Sequence, residues 1–404
     1  MKIIFLTLVP IKTLNDRGIY HDLLKKFKNE GHDIFVLSPV ERRFKEKTRL
    51  IVEDGVGFLQ IRTLNIQKTN IFEKGLSTLL IEYQFLHAIK KVLKSVKFDL
   101  VLFSTPPITF EKVVRFIKNR DQAYAYLLLK DIFPQNAVDM RLLKKGGIIH
   151  RIFLRKERKL YKTCDKIGCM SEANLQYIIK ENEFIDREKI EVNPNSIEPI
   201  VFEVDANKKE SVFGKYYIPL NKKIFVYGGN LGKPQGLDFL LQIIETNTNN
   251  NVHFLIIGDG TEYEKVSLWF SKMKPINATL MKSLPKQEFD IILSLCDVGL
   301  IFLDRKFTIP NFPSRLLSYL EMKIPVIAAT DECTDLGEII ETNKCGYKVL
   351  SGDLSHFHEI IDKLVYTVDL KVIGLNGYNL LNRKYTVDIS YKLIMDSLIN
   401  RIYV

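Results

Sequence analysis

The stretch that decides the fold is IFVYGGNLGKPQG, residues 224–236. Its first four residues are apolar or aromatic, which predicts a short buried strand. A glycine-rich loop with an Asn, a Lys and a Pro follows, and apolar residues then recur at helical spacing. Glycines let a backbone approach a ligand closely, and the free N–H groups of a helix start point at it. Strand, loop and helix in this order predict an anion-binding site.

Composition describes an ordinary globular chain with a strong positive charge. Of the 404 residues, 46% are hydrophobic and 26% are charged. This length suits two domains of roughly 150–200 residues each. The formal net charge of +11 favours polyanionic partners, namely nucleic acid, anionic lipid or phosphorylated ligands. We expect no nucleic-acid partner, because the aromatic residues form no stacking stripe with the cations.

Cysteine usage and apolar runs indicate the compartment. The five cysteines are scattered and no pair has CxxC spacing, which argues for a reducing compartment. The N-terminal MKIIFL is a short apolar run followed by Pro10, which predicts a first strand rather than a signal peptide. No apolar stretch approaches the roughly 20 residues of a membrane span. We therefore expect a cytoplasmic protein, at most peripheral to a membrane.

The first half of the chain alternates strands and helices. Strand 2–9, helix 19–30 and strand 33–37 form a βαβ opening, which predicts a parallel sheet. Residues 41–75 are charged and irregular, and predict a hairpin with a mobile loop.

The second half repeats this alternation from Lys222 onward, after a polar run without periodicity. We predict an α/β protein with two doubly wound domains, residues 1–200 and 222–384, joined by a linker at 201–221. Two such domains leave a cleft between the carboxyl ends of their strands, where ligands bind.

Three segments of the second half are candidate phosphate-binding loops. In the loop 228–236, Asn230 and Lys233 favour a ligand over an ordinary turn, since a Lys over a helix start suits a diphosphate. The Gly258-Asp259-Gly260 segment ends a second strand, although Asp-Gly is equally typical of a plain turn. Pro313 predicts a helix start at which free amides and Arg315 form a second cradle; an ordinary Pro-initiated helix is the alternative.

The first half offers two further candidates. Gly18 opens a helix and is predicted to face the same cleft. Asp131 follows the strand 123–129, where catalytic side chains lie in sheets of this class, although it also suits a helix or turn cap. No DxD motif is present and the histidines show no ligand spacing, so we expect no metal. Without a metal, Lys, Arg and backbone amides must neutralise the charge of the phosphates.

A basic amphipathic helix is predicted over residues 148–166. Seven basic residues stand against two acidic ones, which is typical of a solvated face or of a membrane-binding surface. Its predicted apolar side consists of Ile149, Ile152, Phe153 and Leu160.

Together these motifs resemble a known family. GNLGKPQG at 229–236, GDG at 258–260, PSRLLSYL at 313–320 and IPVIA at 324–328 resemble the retaining GT-B glycosyltransferases of family 4. The nearest resemblance is to the WbuB-like bacterial subgroup, which builds O-antigen and capsule repeat units. The segment DIFPQ at 131–135 resembles that subgroup's Asp-(Leu/Ile)-Trp-Pro-Glu. Asn195-Ser196-Ile197 matches the family's Asn-Gly-(Val/Ile).

The resemblance implies an acceptor-binding first domain and a second domain that binds a nucleotide sugar, with UDP as the expected nucleotide and no cofactor. The final helix, about 385–404, would pack back on the first domain. Asp131 would lie near the reacting sugar or the acceptor hydroxyl, while Lys233 and Arg315 would act catalytically on the diphosphate. The implied donor-binding residues are Gly18, Gly229, Asn230, Lys233, Gln235, Gly258, Asp259, Gly260, Lys282, Ser283, Leu284, Pro313, Ser314, Arg315, Leu316, Leu317, Ser318 and Glu321.

One departure concerns two glutamates that the family usually carries eight positions apart. Pro310 and Ser318 occupy the matching positions. The second glutamate normally bonds the donor ribose, and Ser318 is shorter. Glu321, nearly one helical turn further on, is the candidate substitute.

Three functions follow from the resemblance. The first is transfer of a sugar, such as an N-acetylated deoxyhexose, to a lipid-linked acceptor of the undecaprenyl diphosphate type, at the inner membrane face. The second is a nucleotide-sugar epimerase of the same fold. The third, motivated by Ser318, is a degenerate assembly partner without catalysis.

Overall fold

A computed structural model describes residues 1–66, 71–202 and 208–400. The strands are β1 Lys2–Leu6, β2 Asp33–Glu41, β3 Arg49–Glu53, β4 Val56–Thr63, β5 Leu100–Ser104, β6 Tyr124–Leu129, β7 Lys166–Cys169, β8 Ile190–Val192, β9 Lys223–Asn230, β10 Val252–Asp259, β11 Ala278–Met281, β12 Val298–Phe302, β13 Val326–Thr330 and β14 Gly346–Leu350.

The helices are α1 Ile19–Asn29, α2 Ile71–Val92, α3 Glu111–Asp121, α4 Gln135–Asp139, α5 Ile148–Thr163, α6 Glu172–Glu181, α7 Lys208–Lys215, α8 Leu237–Thr246, α9 Tyr263–Met273, α10 Lys286–Ser294, α11 Arg315–Glu321, α12 Leu336–Thr342, α13 Leu354–Tyr366, α14 Leu370–Lys384 and α15 Val387–Asn400. None of these helices is both long enough and apolar enough to cross a membrane.

The chain divides into two compact units. Unit 1 comprises Met1–Glu198 with Val387–Val404, and unit 2 comprises Pro199–Thr386. Unit 1 contains an eight-stranded sheet in the order β3-β4-β2-β1-β5-β6-β7-β8. Unit 2 contains a six-stranded sheet in the order β11-β10-β9-β12-β13-β14. Both are doubly wound α/β units, which confirms the predicted fold class.

The central strands are buried on both faces. Every residue of β5, β6, β12 and β13 is buried, as expected for parallel strands covered by helices on both sides. All described strand pairs are parallel except β3 with β4, which form the hairpin predicted within 41–75. Residues 67–70 of that predicted segment lie outside the described residues.

Both sheets change winding direction beside their first strand. In unit 2 the chain steps from β9 outward to β10 and β11, then returns to β12 on the other side of β9. Unit 1 does the same, with β2 on one side of β1 and β5 on the other. Ligands bind outside the carboxyl ends of the strands at such a switch point. The switch points lie beside β9 and β1, where the glycine-rich loop and Gly18 follow.

The segment 201–221, predicted as a linker, contains a helix. Helix α7 buries Phe213, and Ile218 is also buried, so this segment belongs to unit 2. Apolar residues are too sparse in KKESVFGK to show helical periodicity, which is why the sequence pattern missed it. Residues 203–207 of the predicted linker lie outside the described residues.

The last helix, α15, belongs to unit 1. It buries Val387, Ile394 and Leu398 in the same core as β1 and α1. Ser390 Oγ donates to Asn193 Oδ1 over 2.7 Å, which adds a buried polar contact to the end of β8.

Candidate functional site

The carboxyl edge of the unit 2 sheet brings two of the predicted loops together. Strands β9 and β10 pair in register, with Gly258 opposite Gly229 and Asp259 opposite Asn230. The two loops are joined further by Leu231 N, which donates to Asp259 O over 2.9 Å. The glycine-rich loop and the Gly-Asp-Gly segment therefore form one continuous surface.

Gly258 and Gly260 are required by this backbone contact. A Cβ at Gly258 would lie 1.9 Å from the carbonyl oxygen of Gly229, and one at Gly260 would lie 2.4 Å from that of Leu231. Both clashes are with backbone, which has little freedom to move. These two glycines thus allow the loops to pack against each other. The sequence pattern had instead predicted that they contact a ligand.

Gln235 also holds the loop in place. Its Oε1 accepts from the backbone N–H of Gly232 over 3.1 Å and from Asn230 Nδ2 over 3.2 Å. Gly236 follows in the left-handed region, at a φ of 56°. Lys233 is exposed and has no ion pair within the described ranges. The loop therefore presents an unpaired ammonium group from a rigid backbone.

Arg315 is the most specific feature of this edge. Its guanidinium lies 4.3 Å above the ring of Tyr227, which favours the cation through the ring quadrupole. A Cβ at Gly229 would be 3.7 Å from Arg315 Nη2, so the guanidinium stands beside the backbone of the glycine-rich loop. Its Nη1 is buried without a hydrogen-bond partner among the described residues. A buried donor left unpaired is costly, and a phosphate oxygen would satisfy it.

Two tyrosines that the sequence analysis missed support this arrangement. Tyr227 donates from its hydroxyl to Asn230 O over 2.7 Å, and burial raises its pKa. Tyr319 is fully buried and accepts from the N–H of Gly228 at 3.3 Å. Both aromatic positions look like ordinary core residues in sequence. Only the hydrogen bonds of their hydroxyl groups show that these tyrosines fix the loop.

The predicted phosphate cradle at 313–317 is smaller than expected. Helix α11 begins at Arg315, so Pro313 precedes the helix. The backbone N–H groups of Leu316 and Leu317 donate to Pro313 O and Ser314 O, and both leucine side chains are buried. The groups that this loop leaves available to a ligand are therefore mainly those of Ser314, which is exposed, and the Arg315 side chain.

Glu321 is not presented at the sheet edge. It is buried, and its Oε1 accepts from the N–H of Ile200 over 3.0 Å. This carboxylate is engaged in tying residue 200 to unit 2, so the structure argues against its predicted role on the ribose. Ser318 is half-buried on the same helix.

The segment Lys282-Ser283-Leu284 follows β11, next to β10 in the sheet. Lys282 and Ser283 are exposed, and Lys282 Nζ lies 5.7 Å from the ring centre of Tyr263. This segment therefore lies at the same edge as the two glycine loops.

In unit 1, Asp131 follows β6 and is held by two residues that the sequence analysis missed. Asn136 Nδ2 lies 2.7 Å from one carboxylate oxygen of Asp131 and 2.6 Å from the other. The hydroxyl of Thr105, at the end of β5, donates to Asp131 O and accepts from Lys130 N. Burial raises the pKa of Asp131 to about 6, although the Asn136 amide opposes the shift. This carboxyl group is therefore mostly ionised at neutral pH.

Gly18 precedes α1 at the same edge of the unit 1 sheet. Its N–H donates to Asp22 Oδ1 over 3.2 Å, and Asp22 Oδ2 accepts from Glu198 N over 3.1 Å. The N–H of Gly18, a residue predicted to contribute to donor binding, is thus engaged in an internal bond. Strand β5 separates the strand that leads to Gly18 from the strand that leads to Asp131.

No group of three His, Cys, Asp or Glu side chains within 1–66, 71–202 and 208–400 is arranged to hold a metal ion.

Comparison with known proteins identifies the type of fold. Residues 208–367 match the family model described as Glycosyl transferases group 1. A Pseudomonas aeruginosa protein named probable glycosyltransferase WbjE is 23% identical over 377 residues, covering 93% of this chain and 92% of that protein.

Two solved structures resemble the whole chain. The Anabaena protein HepE, in complex with UDP and glucose, has a TM-score of 0.73 at 14% identity and covers 99% of this chain and 100% of its own. WaaG, a glycosyltransferase involved in lipopolysaccharide biosynthesis, has a TM-score of 0.64 at 13% identity, with 97% and 98% covered. The two Rossmann-like units thus have the GT-B fold, and the sequence matches support a glycosyltransferase.

Proposed function

We propose that this chain is a retaining, metal-independent glycosyltransferase of family 4, in the WbuB-like subgroup. In this proposal it moves a sugar, such as an N-acetylated deoxyhexose, from a UDP-linked donor to a lipid-linked saccharide acceptor of the undecaprenyl diphosphate type. The reaction would serve O-antigen or capsule synthesis at the inner face of the cell membrane. The observation that carries the proposal is the unpaired, buried Nη1 of Arg315 beside the glycine-rich loop.

Donor binding is supported by the chemistry of the unit 2 edge. An anion at this edge would meet Arg315, the exposed Lys233 and the backbone of Gly229. Arginine forks match phosphate oxygens, and a lysine adds a point charge. The similar fold of HepE, whose structure holds UDP and glucose, supports a nucleotide sugar as the anion.

The proposed reaction breaks the bond between the anomeric carbon and the donor phosphate. The electron pair leaves with the diphosphate, and preorganised cations at Lys233 and Arg315 stabilise that charge. The acceptor hydroxyl attacks the anomeric carbon, and its proton passes to an oxygen of the departing diphosphate. Asp131, ionised near neutral pH, is the proposed unit 1 residue next to the acceptor hydroxyl or the reacting sugar.

Replacing Arg315 tests donor binding directly. We expect Arg315→Ala to weaken UDP affinity by about 10-fold to 100-fold, because it removes a charge-assisted bond worth about 1.5–3 kcal/mol. Isothermal titration calorimetry of the full chain with UDP measures this change.

Arg383→Ala is the matched control for this experiment, since Arg383 is an exposed unit 2 arginine on α14 that bonds Asn343. Equal UDP affinity in the Arg315 and Arg383 variants would contradict the proposed site.

A second candidate function is a non-catalytic assembly partner. It is favoured by Ser318, which is half-buried, and by Glu321, whose carboxylate is bonded to Ile200. Neither residue supplies the ribose contact that the family resemblance implies.

Ser318→Glu separates the two candidates. If the chain is a transferase, restoring a carboxylate toward the ribose should tighten UDP-sugar binding and raise the rate of donor hydrolysis. If it is an assembly partner, neither the parent chain nor the variant should turn over any UDP-sugar of a donor panel.

A further inference from the structure

Lys130 places an ammonium group at the carboxyl edge of unit 1 that the proposed reaction does not use. It follows β6 directly and precedes Asp131, and it is half-buried. Its backbone N–H donates to Thr105 Oγ1 over 3.0 Å, which fixes the start of the loop. In the part of the chain that the structure describes, its Nζ has no hydrogen bond and no ion pair. The loop that holds Asp131 therefore carries a cation without a partner.

The group that acts on Lys130 from the neighbouring strand is uncharged at neutral pH. Cys169, which ends β7, lies opposite Leu129 in the sheet, and its thiol influences the Lys130 amine. Burial raises the pKa of that thiol far above neutrality. The carboxylate of Asp131 is bonded to Asn136 instead. Burial lowers the pKa of Lys130 to about 7, although the thiol opposes this shift, so roughly half of the amine groups are protonated at neutral pH.

Other polar atoms at this edge are also unpaired. Thr109 Oγ1 follows β5, Asn136 Oδ1 follows β6 and Asn195 Oδ1 follows β8, and each is buried without a hydrogen-bond partner among the described residues. Strands β5 to β8 are neighbours in one parallel sheet, so these loops leave the same edge. A buried polar atom without a partner is costly. This edge therefore suits a ligand that is both anionic and rich in hydroxyl groups.

The position next to Asp131 indicates which substrate carries the anion. Asp131 is the residue proposed to lie by the acceptor hydroxyl or the reacting sugar, and its carboxyl group is mostly ionised at neutral pH. A carboxylate repels an approaching phosphate, and a cation on the adjacent residue offsets that repulsion. In the proposed reaction the donor diphosphate already has cations in unit 2, at Lys233 and Arg315. The remaining anion is the diphosphate of the lipid-linked acceptor.

We propose that Lys130 is an acceptor-binding residue, whose ammonium group holds the diphosphate of a lipid-linked acceptor while Asp131 contacts the sugar that this diphosphate carries. An ammonium group binds phosphate as a point charge. Consecutive Cα atoms lie about 3.8 Å apart, so both side chains can contact one acceptor molecule. The inference rests on the proposed function, because it names the residue that binds the lipid-linked part of the proposed acceptor.

Binding of geranyl diphosphate, a short lipid diphosphate, tests the proposal. Isothermal titration calorimetry of the full chain is done with UDP at saturation, so that the proposed anion site of unit 2 is filled. We expect the parent chain to bind geranyl diphosphate but not geraniol, which lacks the phosphates. Lys130→Met removes the charge and keeps the apolar stem, and it should weaken binding by about 10-fold or more, because a charge-assisted bond is lost.

The matched control is Lys94→Met, at an exposed lysine of unit 1. This variant should bind geranyl diphosphate as the parent chain does. UDP affinity should be the same in every variant, since the proposed donor loops lie in unit 2. Thermal unfolding is measured on each variant, and Lys130→Gln replaces Lys130→Met if that variant fails to fold.

The pH dependence of binding distinguishes an ammonium that binds the ligand from a lysine with a structural role only. Because the pKa of Lys130 is lowered to about 7, affinity for geranyl diphosphate should fall about 10-fold between about pH 7 and about pH 9, as the amine loses its proton. Lys130→Arg stays charged over this range and should keep its affinity. Equal pH dependence in the parent chain and in Lys130→Arg would contradict the proposal.

Several further results would overturn the role of Lys130. These are failure of the parent chain to bind geranyl diphosphate, equal affinity in Lys130→Met and Lys94→Met, and a loss of UDP affinity in Lys130→Met, which would assign the amine to the donor. Octyl glucuronide is titrated in parallel. If it bound through Lys130 when geranyl diphosphate did not, the bound anion would be a sugar carboxylate instead of a diphosphate.

The same titrations separate this inference from the proposed function. UDP binding without binding of geranyl diphosphate leaves the donor site in place and removes the role of Lys130. If the parent chain binds neither UDP nor any UDP-sugar of the donor panel, the proposed transferase is removed, whatever Lys130 binds.

Discussion

The carboxyl edges of the two sheets hold their functional loops in different ways. In unit 2 the carboxyl ends of β9 and β10 pack backbone against backbone, with no room for a Cβ at Gly258. In unit 1 the loop after β6 is held by side-chain hydrogen bonds, from Thr105 to its backbone and from Asn136 to Asp131. Close backbone packing tolerates little change, whereas side-chain bonds can be removed singly. The unit 2 edge should therefore be rigid and the unit 1 edge adjustable.

The largest effect is expected where the unit 2 loops touch. Gly258→Ala places a Cβ 1.9 Å from a backbone oxygen, so we expect a loss of roughly 3 kcal/mol or more in the stability of unit 2, together with UDP binding. Thermal unfolding followed with and without UDP measures both. Gly214→Ala is the control, because a Cβ there has no neighbour within 4 Å. Similar melting of the two variants would show that the loops are not constrained as described.

A smaller effect is expected where the unit 1 loop is anchored. Thr105→Val keeps the shape of the buried side chain but removes the hydroxyl that bonds Lys130 N and Asp131 O. We expect a loss of about 2 kcal/mol in stability, with UDP affinity unchanged because the donor loops lie in unit 2. Denaturant unfolding gives the stability, and calorimetry gives the affinity. Thr105→Ser retains the hydroxyl and should lose less; an equal loss would point to packing instead.

The smallest effect is a change in pH dependence without a change in fold. Asn136→Ala removes a donor that favours ionised Asp131, so the pKa of that carboxyl should rise above about 6. Because the proposed reaction needs the carboxylate, the acidic limb of the kcat/KM profile should move to higher pH. Activity below neutral pH then falls more than activity above it. Asn119→Ala, at an exposed position of α3, is the control. If the two variants gave the same pH profile of kcat/KM, Asn136 would have no role in the reaction.

The sequence predicted most of the fold and only part of the candidate site. Apolar runs and helical spacing were sufficient for two α/β halves, and motif and position indicated the glycine-rich loop, Asp131 and Arg315 as candidate site residues, which stay predictions. The helix in 208–215 was missed because a short segment with few apolar residues shows no periodicity. Asn136 and Thr105 were missed because bonds to Asp131 across a turn and between strands leave no local pattern.

The sequence by itself determined which apolar runs form strands, because continuous apolar runs are buried in a covered parallel sheet, and therefore which loops follow those strands. The tertiary structure decided what the residues of those loops do. It assigned Gly258 and Gly260 to backbone contact and engaged Glu321 with Ile200. It left Arg315 Nη1 buried, with no hydrogen-bond partner in the part of the chain that the structure describes. The physical reason is that the side-chain period of a strand or helix follows from local geometry, whereas a hydrogen-bond partner or a clash depends on atoms distant in sequence.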